Sequence, residues 1–139
     1  MILLDTNVIS EIMRQRPEPC VLDWLDRHPS HSIWTTSISL YEVRYGLLIM
    51  PAGRRRLTRI DFFRRWLHEV IHERIVQFDA VAAERAAELG ASRKERGVPG
   101  EARDTMIAGI VMANKAKLAT RNVRHFADIA DSVINPWEQ

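Results

Sequence analysis

The chain is 139 residues long, and 46% of its side chains are hydrophobic and 27% charged. This composition is typical of one globular domain, here residues 1–139, and excludes a disordered, collagen-like or coiled-coil chain. A single cysteine, Cys20, cannot form an internal disulfide, and the sequence does not begin with a basic and apolar leader. We therefore expect a cytoplasmic protein. Charged residues interrupt every apolar run well before the roughly 18 residues that a membrane span requires, so we expect no membrane partner.

Short apolar runs alternate with helical patterns along the whole chain, and prolines or the Gly-containing loop at 97–100 separate them. We expect strands at 2–4, 32–35, 74–78, 117–120 and 132–134, and helices at 8–12, 21–25, 38–49, 54–73, after Asp79 and at 102–115. Strands that alternate with helices predict an α/β fold built on a parallel sheet.

Three acidic residues, Asp5, Glu42 and Asp104, are candidates for a common site. Asp5 follows the first expected strand, at the edge where parallel sheets bind ligands, although an aspartate there also caps the next helix. The other two lie on apolar helical stripes, formed around Glu42 by Ile38, Tyr45, Gly46 and Ile49 and around Asp104 by Ile107, Ala108 and Val111.

A carboxylate on an apolar face needs a partner, because an isolated buried charge is strongly disfavoured. Arg44 and Arg103 are too close along their helices to Glu42 and Asp104 to face these neighbours. If the three carboxylates converge, each pair at about 4 Å repels by about 4 kcal/mol at an effective dielectric of about 20, and a divalent cation would offset this repulsion. Hard oxygen ligands favour Mg²⁺ or Mn²⁺.

The acidic residues belong to a longer series of sequence blocks. These blocks are MILLDTNVISE at 1–11, Thr36-Ser37-Ile38-Ser39 with Glu42 and Gly46, Arg103-Asp104 with Ile107-Ala108, Leu118-Ala119-Thr120-Arg121-Asn122, His125-Phe126 and Asn135-Pro136-Trp137. Each block is a weak signal alone, but their order and separations cover essentially the whole chain. In this order the sequence resembles the PIN-domain nucleases of toxin-antitoxin systems, the VapC-like and FitB-like toxins.

This resemblance implies a three-layer α/β/α sandwich with a mainly parallel central sheet. It also implies a Mg²⁺- or Mn²⁺-dependent endoribonuclease that hydrolyses RNA phosphodiester bonds, with Asp5, Glu42 and Asp104 as metal ligands. Thr6 and Thr120 would support the pocket from the first turn and from the end of a later strand. The implied partners are RNA, a cognate antitoxin protein, and a second copy of the chain in a homodimer or higher assembly.

The chain departs from one version of the family pattern at Asn122, where several members carry a fourth aspartate. An amide oxygen can still ligate a metal or a bound water, but it adds no negative charge. Asn122 is therefore a candidate catalytic residue, and its lack of negative charge bears on whether a second metal binds.

Positive charge is concentrated between residues 54 and 74, where seven arginines accompany only three acids. A polyanion-binding surface has this kind of concentrated charge, although a solvated helix face has it too. We expect Arg54, Arg55 and Arg56 to contact RNA or the antitoxin.

A competing motif is His68-Glu69-Val70-Ile71-His72, which has the H-E-x-x-H spacing of zinc metalloproteases. In such a protein the two histidines bind zinc and the glutamate acts as a general base. On the expected helix, however, His68 and His72 fall on the polar side and would face solvent, and no third ligand follows in a recognised pattern.

A third interpretation is a non-catalytic nucleic-acid-binding module of the same fold. A module without catalysis would be more stable with apolar side chains in place of Glu42 and Asp104. The presence of all three acids therefore favours a nuclease.

Overall fold

The computed structural model describes residues 1–139, and its strands form one sheet in the order β3-β2-β1-β4-β5. The strands are β1 (Ile2–Leu4), β2 (Ile33–Thr36), β3 (Ile75–Val76), β4 (Lys117–Ala119) and β5 (Val133–Ile134). Every neighbouring pair is parallel. All three residues of the central strand β1 are buried, as expected for a parallel strand that is covered on both faces.

Six α-helices and three 3-10 segments surround this sheet. The helices are α1 (Thr6–Ile12), α2 (Pro19–Asp26), α3 (Ser37–Leu48), α4 (Arg54–Glu69), α5 (Ala80–Glu95) and α6 (Ala102–Asn114), and the 3-10 segments are Ser30–Ser32, Val123–Ser132 and Pro136–Glu138. The order of elements agrees with the sequence-based expectation, although several ends differ by a few residues.

Alternate residues of β1 point to two separate hydrophobic cores, because successive side chains of a strand lie on opposite faces. Ile2 and Leu4 pack in one core with residues of α1 to α4, whereas Leu3 packs in the other with residues of α5 and α6. This arrangement confirms the predicted α/β/α sandwich with a parallel central sheet.

The second core depends on a close approach of two helices at Gly109 of α6. A Cβ atom at this position would lie 2.5 Å from the backbone oxygen of Ala82 and 2.8 Å from the Cβ of Ala86, both in α5. Only glycine permits this separation, and it fixes the position of α6, the helix that carries Asp104.

Three helices begin at polar residues that follow a strand or an extended segment. Asp5, Thr36 and Asp79 cap α1, α3 and α5, and each side chain accepts a hydrogen bond from a backbone N–H of the first turn. The helix expected after Asp79 is therefore confirmed as α5. Because these starts follow the carboxyl ends of parallel strands, they lie along one edge of the sheet. No helix of the structure combines the length and the apolar character needed to cross a bilayer.

Candidate active site

Asp5 and Thr120 are brought together because β1 and β4 are neighbours in the sheet. The backbone N–H of Asp5 donates to the carbonyl oxygen of Ala119 (3.0 Å), so the residues that follow the two strands lie side by side. Thr120 Oγ1 donates to Asp5 Oδ2 (2.7 Å), and the backbone N–H of Thr6 donates to Asp5 Oδ1 (2.8 Å). Asp5 is only 4% exposed, so the carboxylate is held in one orientation. It serves as the helix cap and also faces the pocket described below.

Glu42 reaches the same region from α3. Thr6 Oγ1 donates to Glu42 Oε1 (3.0 Å), which links the first turn of α1 to α3. The other oxygen, Oε2, lies 3.7 Å from Arg103 Nε on α6. Arg103 does not pair with its neighbour Asp104. Its closest carboxylate is that of Glu101, at 2.7 Å, and it also reaches from α6 to Glu42 on α3. This long-range ion pair was not expected from the sequence.

The expected apolar stripe around Glu42 is only partly correct. Tyr45 is 50% exposed and Ile49 is 65% exposed, so the C-terminal part of this face points to solvent and not to the core. The stripe around Asp104 is different, because Ile107, Ala108 and Val111 are all buried.

Asp104 is positioned by the first turn of α6 and by His125 of the Val123–Ser132 segment. His125 Nδ1 lies 3.0 Å from Asp104 Oδ2. Sequence spacing indicated no ligand role for His125, and its contact with Asp104 joins residues 21 positions apart. The only signal in the sequence was its place in the His125-Phe126 block of the family resemblance.

A pocket of about 530 Å³ contains all three carboxylates. Its lining includes the predicted residues Asp5, Thr6, Glu42, Asp104 and Asn122, together with Asn7, Ser10, Glu11, Arg14, Arg59, Glu101, Arg121, His125 and Trp137. We call this space the acidic pocket. Thr120 does not line it, because the threonine is fully buried behind Asp5.

Asn7 is a further residue of this site that sequence reasoning missed. Its side-chain nitrogen donates to Thr120 Oγ1 (3.2 Å), and its side-chain oxygen accepts from the backbone N–H of Arg121 (3.2 Å). Asn122 is tied to the same hydroxyl, because its backbone N–H donates to Thr120 Oγ1 (3.1 Å). Thr120 is thus the common hydrogen-bonding partner of Asp5, Asn7 and Asn122.

All three carboxyl groups of the acidic pocket have raised pKa values, and burial is the largest cause in each case. Hydrogen bonds from Thr120 and Thr6 partly counteract this effect on the pKa of Asp5, while the charge of Asp104 raises it further. The negative charge of Asp5 also raises the pKa of Glu42. The pocket therefore disfavours negative charge on its own acids, which a bound cation would reverse.

The donor set fits Mg²⁺ or Mn²⁺, because carboxylate oxygens are the ligands that these ions prefer. As the side chains stand, however, no three His, Cys, Asp or Glu residues form a group that could hold a metal ion. Glu42 and Asp104 are instead turned toward Arg103 and His125. Joint ligation of one ion therefore requires these two carboxylates to turn from Arg103 and His125 toward the metal.

The zinc-protease motif is not formed. The helix α4 ends at Glu69, and His72 lies beyond it with a positive φ of 50°. The two histidines are therefore not one turn apart on a helix, as zinc ligation by this motif requires. Both are exposed, as the polar-face argument predicted.

The arginines at the start of α4 separate into two groups. Arg54 and Arg55 line a groove with Arg14, Arg16 and Arg59. Arg56 is half-buried outside that groove, and its Nη1 lies 3.5 Å from the carbonyl oxygen of Met50. Arg59, which was not among the three arginines expected to contact RNA or the antitoxin, lines both this groove and the acidic pocket.

Comparison with known proteins places this geometry in a family. Residues 2–132 match the PIN domain family model. The chain is 37% identical to the VapC ribonuclease Y4jK of Sinorhizobium fredii and 32% identical to Toxin FitB of Neisseria gonorrhoeae, and each alignment covers 99% of both chains. A solved structure of FitAB bound to an IR36 DNA fragment superposes with a TM-score of 0.88 at 32% identity, covering 99% of this chain and 96% of that one. The chain belongs to the PIN-domain family.

Proposed function

We propose that this PIN domain is a divalent-metal-dependent endoribonuclease and the toxin of a toxin-antitoxin pair. The observation that carries the proposal is the placement of Asp5, Glu42 and Asp104 around one pocket at the carboxyl edge of the sheet. Their raised pKa values indicate a site where carboxylates are crowded and desolvated. The similarity to a VapC ribonuclease and to a FitB toxin supports RNA as the substrate.

In this proposal Asp5, Glu42 and Asp104 bind Mg²⁺ or Mn²⁺. Held by these residues, such an ion would supply Lewis-acid chemistry, which polarises an attacking water and stabilises the leaving oxygen of an in-line displacement. Asp5 is already fixed by Thr120 and Thr6, so its oxygens need no reorientation before they bind a cation. The hydroxyl of Thr6 also donates to Glu42, so the role of Thr6 is to hold the two ligands Asp5 and Glu42 at fixed positions relative to each other.

Asn122 contributes a neutral oxygen at the edge of the acidic pocket. Three carboxylates around one divalent ion leave a charge of −1, so we propose that one ion binds in the free protein and that a second enters only with RNA. The variant Asn122→Asp adds a negative charge and should lower the metal concentration required for half-maximal cleavage. Equal metal requirements in both proteins would remove Asn122 from this role.

The proposed protein partner is a small antitoxin, which would act on the toxin in the cytoplasm. We further propose a homodimer or a higher assembly with the antitoxin. Tyr41, Tyr45 and Leu48 on α3, and Ile49 directly after it, have exposed side chains. They support assembly, because an exposed apolar face of this kind is unusual on a monomer. Size measurements on the purified protein, alone and co-expressed with the adjacent open reading frame, test both statements.

The test of the nuclease proposal is incubation of the purified protein with structured RNAs and defined RNA and DNA oligonucleotides. Each reaction is run with Mg²⁺, Mn²⁺ or a chelator, and Asp104→Asn is the inactive comparison. Asp61→Asn is the matched control, because Asp61 is an exposed acid of α4 outside the pocket. Internal RNA cleavage that requires metal and is lost only in Asp104→Asn supports the proposal. RNA binding without cleavage would instead indicate the non-catalytic binding module.

A further inference from the structure

Arg103 is the only lysine or arginine that forms an ion pair with one of the three pocket carboxylates. Its Nε lies 3.7 Å from Glu42 Oε2. On the other side its Nε and Nη2 donate to Glu101 Oε1, at 3.2 and 2.7 Å. An arginine is always charged in a protein, so Glu42 has a permanent cation beside it before any metal arrives.

The two contacts of Arg103 are unequal. The contacts with Glu101 are hydrogen bonds, whereas the 3.7 Å separation from Glu42 is a charge contact that is too long for one. The hydrogen bond from Thr6 goes to the other oxygen of Glu42. Separation of Arg103 from Glu42 therefore breaks only the weaker contact, and the guanidinium keeps a carboxylate partner when this happens.

The pair of Arg103 and Glu42 is open to solvent and to competition. The side chains of Arg103 and Glu42 are 40% and 21% exposed, and that of Glu101 is 56% exposed. A partly exposed ion pair at this distance is weak and is screened by salt. A divalent ion carries twice the charge and binds oxygen directly, so at a sufficient concentration it is the stronger partner for Glu42.

Arg103 acts on Glu42 from outside the space that would hold a metal. Glu42 and Glu101 line the acidic pocket, but Arg103 does not. Asp5 is already fixed by Thr120 and Thr6, and the three carboxylates do not form a ligand group as they stand. The contact with Arg103 therefore opposes the movement that Glu42 must make to join Asp5 at an ion.

We propose that Arg103 is a built-in competitor of the divalent ion for Glu42. In the free protein it holds Glu42 away from joint ligation, and when the ion binds, Glu42 changes partner while Arg103 stays with Glu101. Arg103 thus lowers the metal affinity, and Glu101 limits this effect by giving the arginine a second partner. This inference rests on the proposed metal-dependent function and adds to it a contact that sets the metal concentration at which the site fills.

The test is a titration of the metal-free, full-length protein with Mn²⁺ alone, without RNA, by calorimetry or manganese resonance. All proteins are compared at one pH and one ionic strength. The main variant is Arg103→Gln. Arg124→Gln is the matched control, because Arg124 is an exposed arginine that lines the neighbouring groove with Glu101 and Asp104 but forms no ion pair. Both variants remove one positive charge near the site, but only Arg103→Gln removes a contact with a pocket carboxylate.

We expect Arg103→Gln to bind Mn²⁺ about threefold to fivefold more tightly, the size expected when one partly exposed ion pair no longer competes. Arg124→Gln should change the Kd by less than about twofold, because charges without direct contact are largely screened at physiological ionic strength. At equal Mn²⁺ concentration, the increase in melting temperature caused by the ion should also be larger in Arg103→Gln than in the unchanged protein.

Glu101→Gln should have the opposite effect, although it leaves Arg103 in place. The arginine then has Glu42 as its only carboxylate partner, so Mn²⁺ binding should weaken about threefold or more. In a protein that already carries Arg103→Gln, the same substitution should have a much smaller effect, because no guanidinium remains to be redirected. In a protein that carries Glu42→Gln, Arg103→Gln should no longer tighten Mn²⁺ binding, since the carboxylate for which the two cations compete is absent.

The titration distinguishes a failed competitor from a failed metal site. If Mn²⁺ binds neither to the unchanged protein nor to Arg103→Gln, the proposed metal-dependent function is wrong. If Mn²⁺ binds to the unchanged protein and Arg103→Gln binds it equally or more weakly, the proposed function stands and the competitor role of Arg103 is overturned. Tightening that persists in the Glu42→Gln protein, or an equal effect of Glu101→Gln with and without Arg103, would overturn it too, because the residues would then act by their charge alone.

Discussion

Two carboxylates, Asp104 and Asp128, lie on either side of His125, and they differ in how their charge is compensated. Asp128 receives two hydrogen bonds from Arg93, and this contact is the largest cause of a lowered pKa. The same arginine donates to the backbone oxygen of His125 (3.1 Å). Asp104 contacts the imidazole of His125, yet burial outweighs that contact and raises its pKa.

The difference separates a structural ion pair from a site that is open to a ligand. Arg93 is 4% exposed and has no access to a substrate, so its pairing with Asp128 fixes the Val123–Ser132 segment against α5 and α6. In the acidic pocket Asp5, Glu42 and Asp104 lack an equivalent buried cation. Keeping three carboxylates together therefore lowers the stability of the fold, and binding of a cation from solution can restore that stability.

The largest expected effect follows from removing charge in the acidic pocket. Asp5→Asn, Glu42→Gln and Asp104→Asn should each reduce RNA cleavage by at least about 10³-fold, a size typical for groups that act as one catalytic unit. The same variants should melt at a higher temperature in the absence of divalent metal. A group with a raised folded-state pKa opposes folding when ionised, and the amide cannot ionise.

Cleavage assays and thermal melts on the same preparations check both halves of this prediction. Asp61→Asn, which removes an exposed carboxylate of α4, should change neither quantity. Full activity in any two pocket variants would contradict the assignment of the site. A lower melting temperature would show that the carboxylates stabilise the fold, as Asp128 does.

The next largest effect is expected from breaking the structural pair. Arg93→Ala removes the main partner of Asp128, whose side chain is 17% exposed in the unchanged protein, so the free energy of unfolding should fall by about 3–5 kcal/mol. Urea denaturation measures this change. Arg85→Ala is the matched control on the same helix, because Arg85 is 55% exposed and its contact with Glu88 is 3.7 Å; the expected loss there is below about 1 kcal/mol. Equal losses of unfolding free energy in Arg93→Ala and Arg85→Ala would contradict a structural role for the Arg93–Asp128 pair.

The sequence contained enough information to predict the sheet and the three central acids. Strands that alternate with helices can form few topologies, and parallel strands bring their carboxyl ends to one edge. Residues that follow successive strands, such as Asp5 and Thr120, must therefore meet there. Glu42 and Asp104 were found because a carboxylate on an apolar helical stripe requires an explanation.

Contacts between distant elements were not predictable from periodicity. The pairs Arg103–Glu42 and Arg93–Asp128 join separate elements, and a helical pattern only indicates which residues share a face on one helix. The contact between His125 and Asp104 was not expected for the same reason.

The end of α4 was wrong by four residues, since the expected helix extended to residue 73. The chain turns after Glu69 so that Ile71 can be fully buried in the first core, and His72 and Glu73 adopt positive φ angles in that turn. Burial of one side chain outweighed local helix propensity, and the zinc motif was lost with it.

A smaller effect concerns how stability changes with pH. Asp128 has an unfolded-state pKa near 3.8 and a lower folded-state value, so its contribution is fully present well above pH 3.8 and is lost as the pH falls through the folded-state pKa. The pocket acids have the opposite sign, because their folded-state pKa values are raised and protonation relieves their cost. The stability advantage of the unchanged protein over Asp128→Asn should therefore shrink on acidification.

The advantage of Asp104→Asn over the unchanged protein should also shrink on acidification, since both proteins are then neutral at residue 104. Urea denaturation in metal-free buffers measures both stability differences. The pH series runs from pH 7 to below about pH 4, so that it passes through the ordinary pKa values of carboxyl groups. A stability difference for Asp128→Asn that grows as the pH falls would contradict the lowered pKa. A stability difference for Asp104→Asn that grows as the pH falls would contradict the raised pKa of Asp104.

The smallest effect tests whether Arg93 is held by Asp128 alone. Arg93 Nη1 also donates to Thr105 Oγ1 (2.9 Å), and this hydroxyl donates to the backbone oxygen of Glu101 (3.1 Å). Thr105→Val therefore removes one hydrogen bond from a charged group and one within the first turn of α6, while keeping the side-chain shape. The free energy of unfolding should fall by about 1.5–3 kcal/mol, less than for Arg93→Ala, because Asp128 still neutralises the guanidinium. Thr58→Val, at an exposed threonine of α4 without a side-chain hydrogen bond, is the control for the valine substitution.

In the double variant Thr105→Val with Asp128→Asn, the two losses of unfolding free energy should not add, since both substitutions act on the same arginine. Strictly additive losses would mean that Thr105 stabilises α6 independently of Arg93. Asp128 would then be the only side chain that holds Arg93.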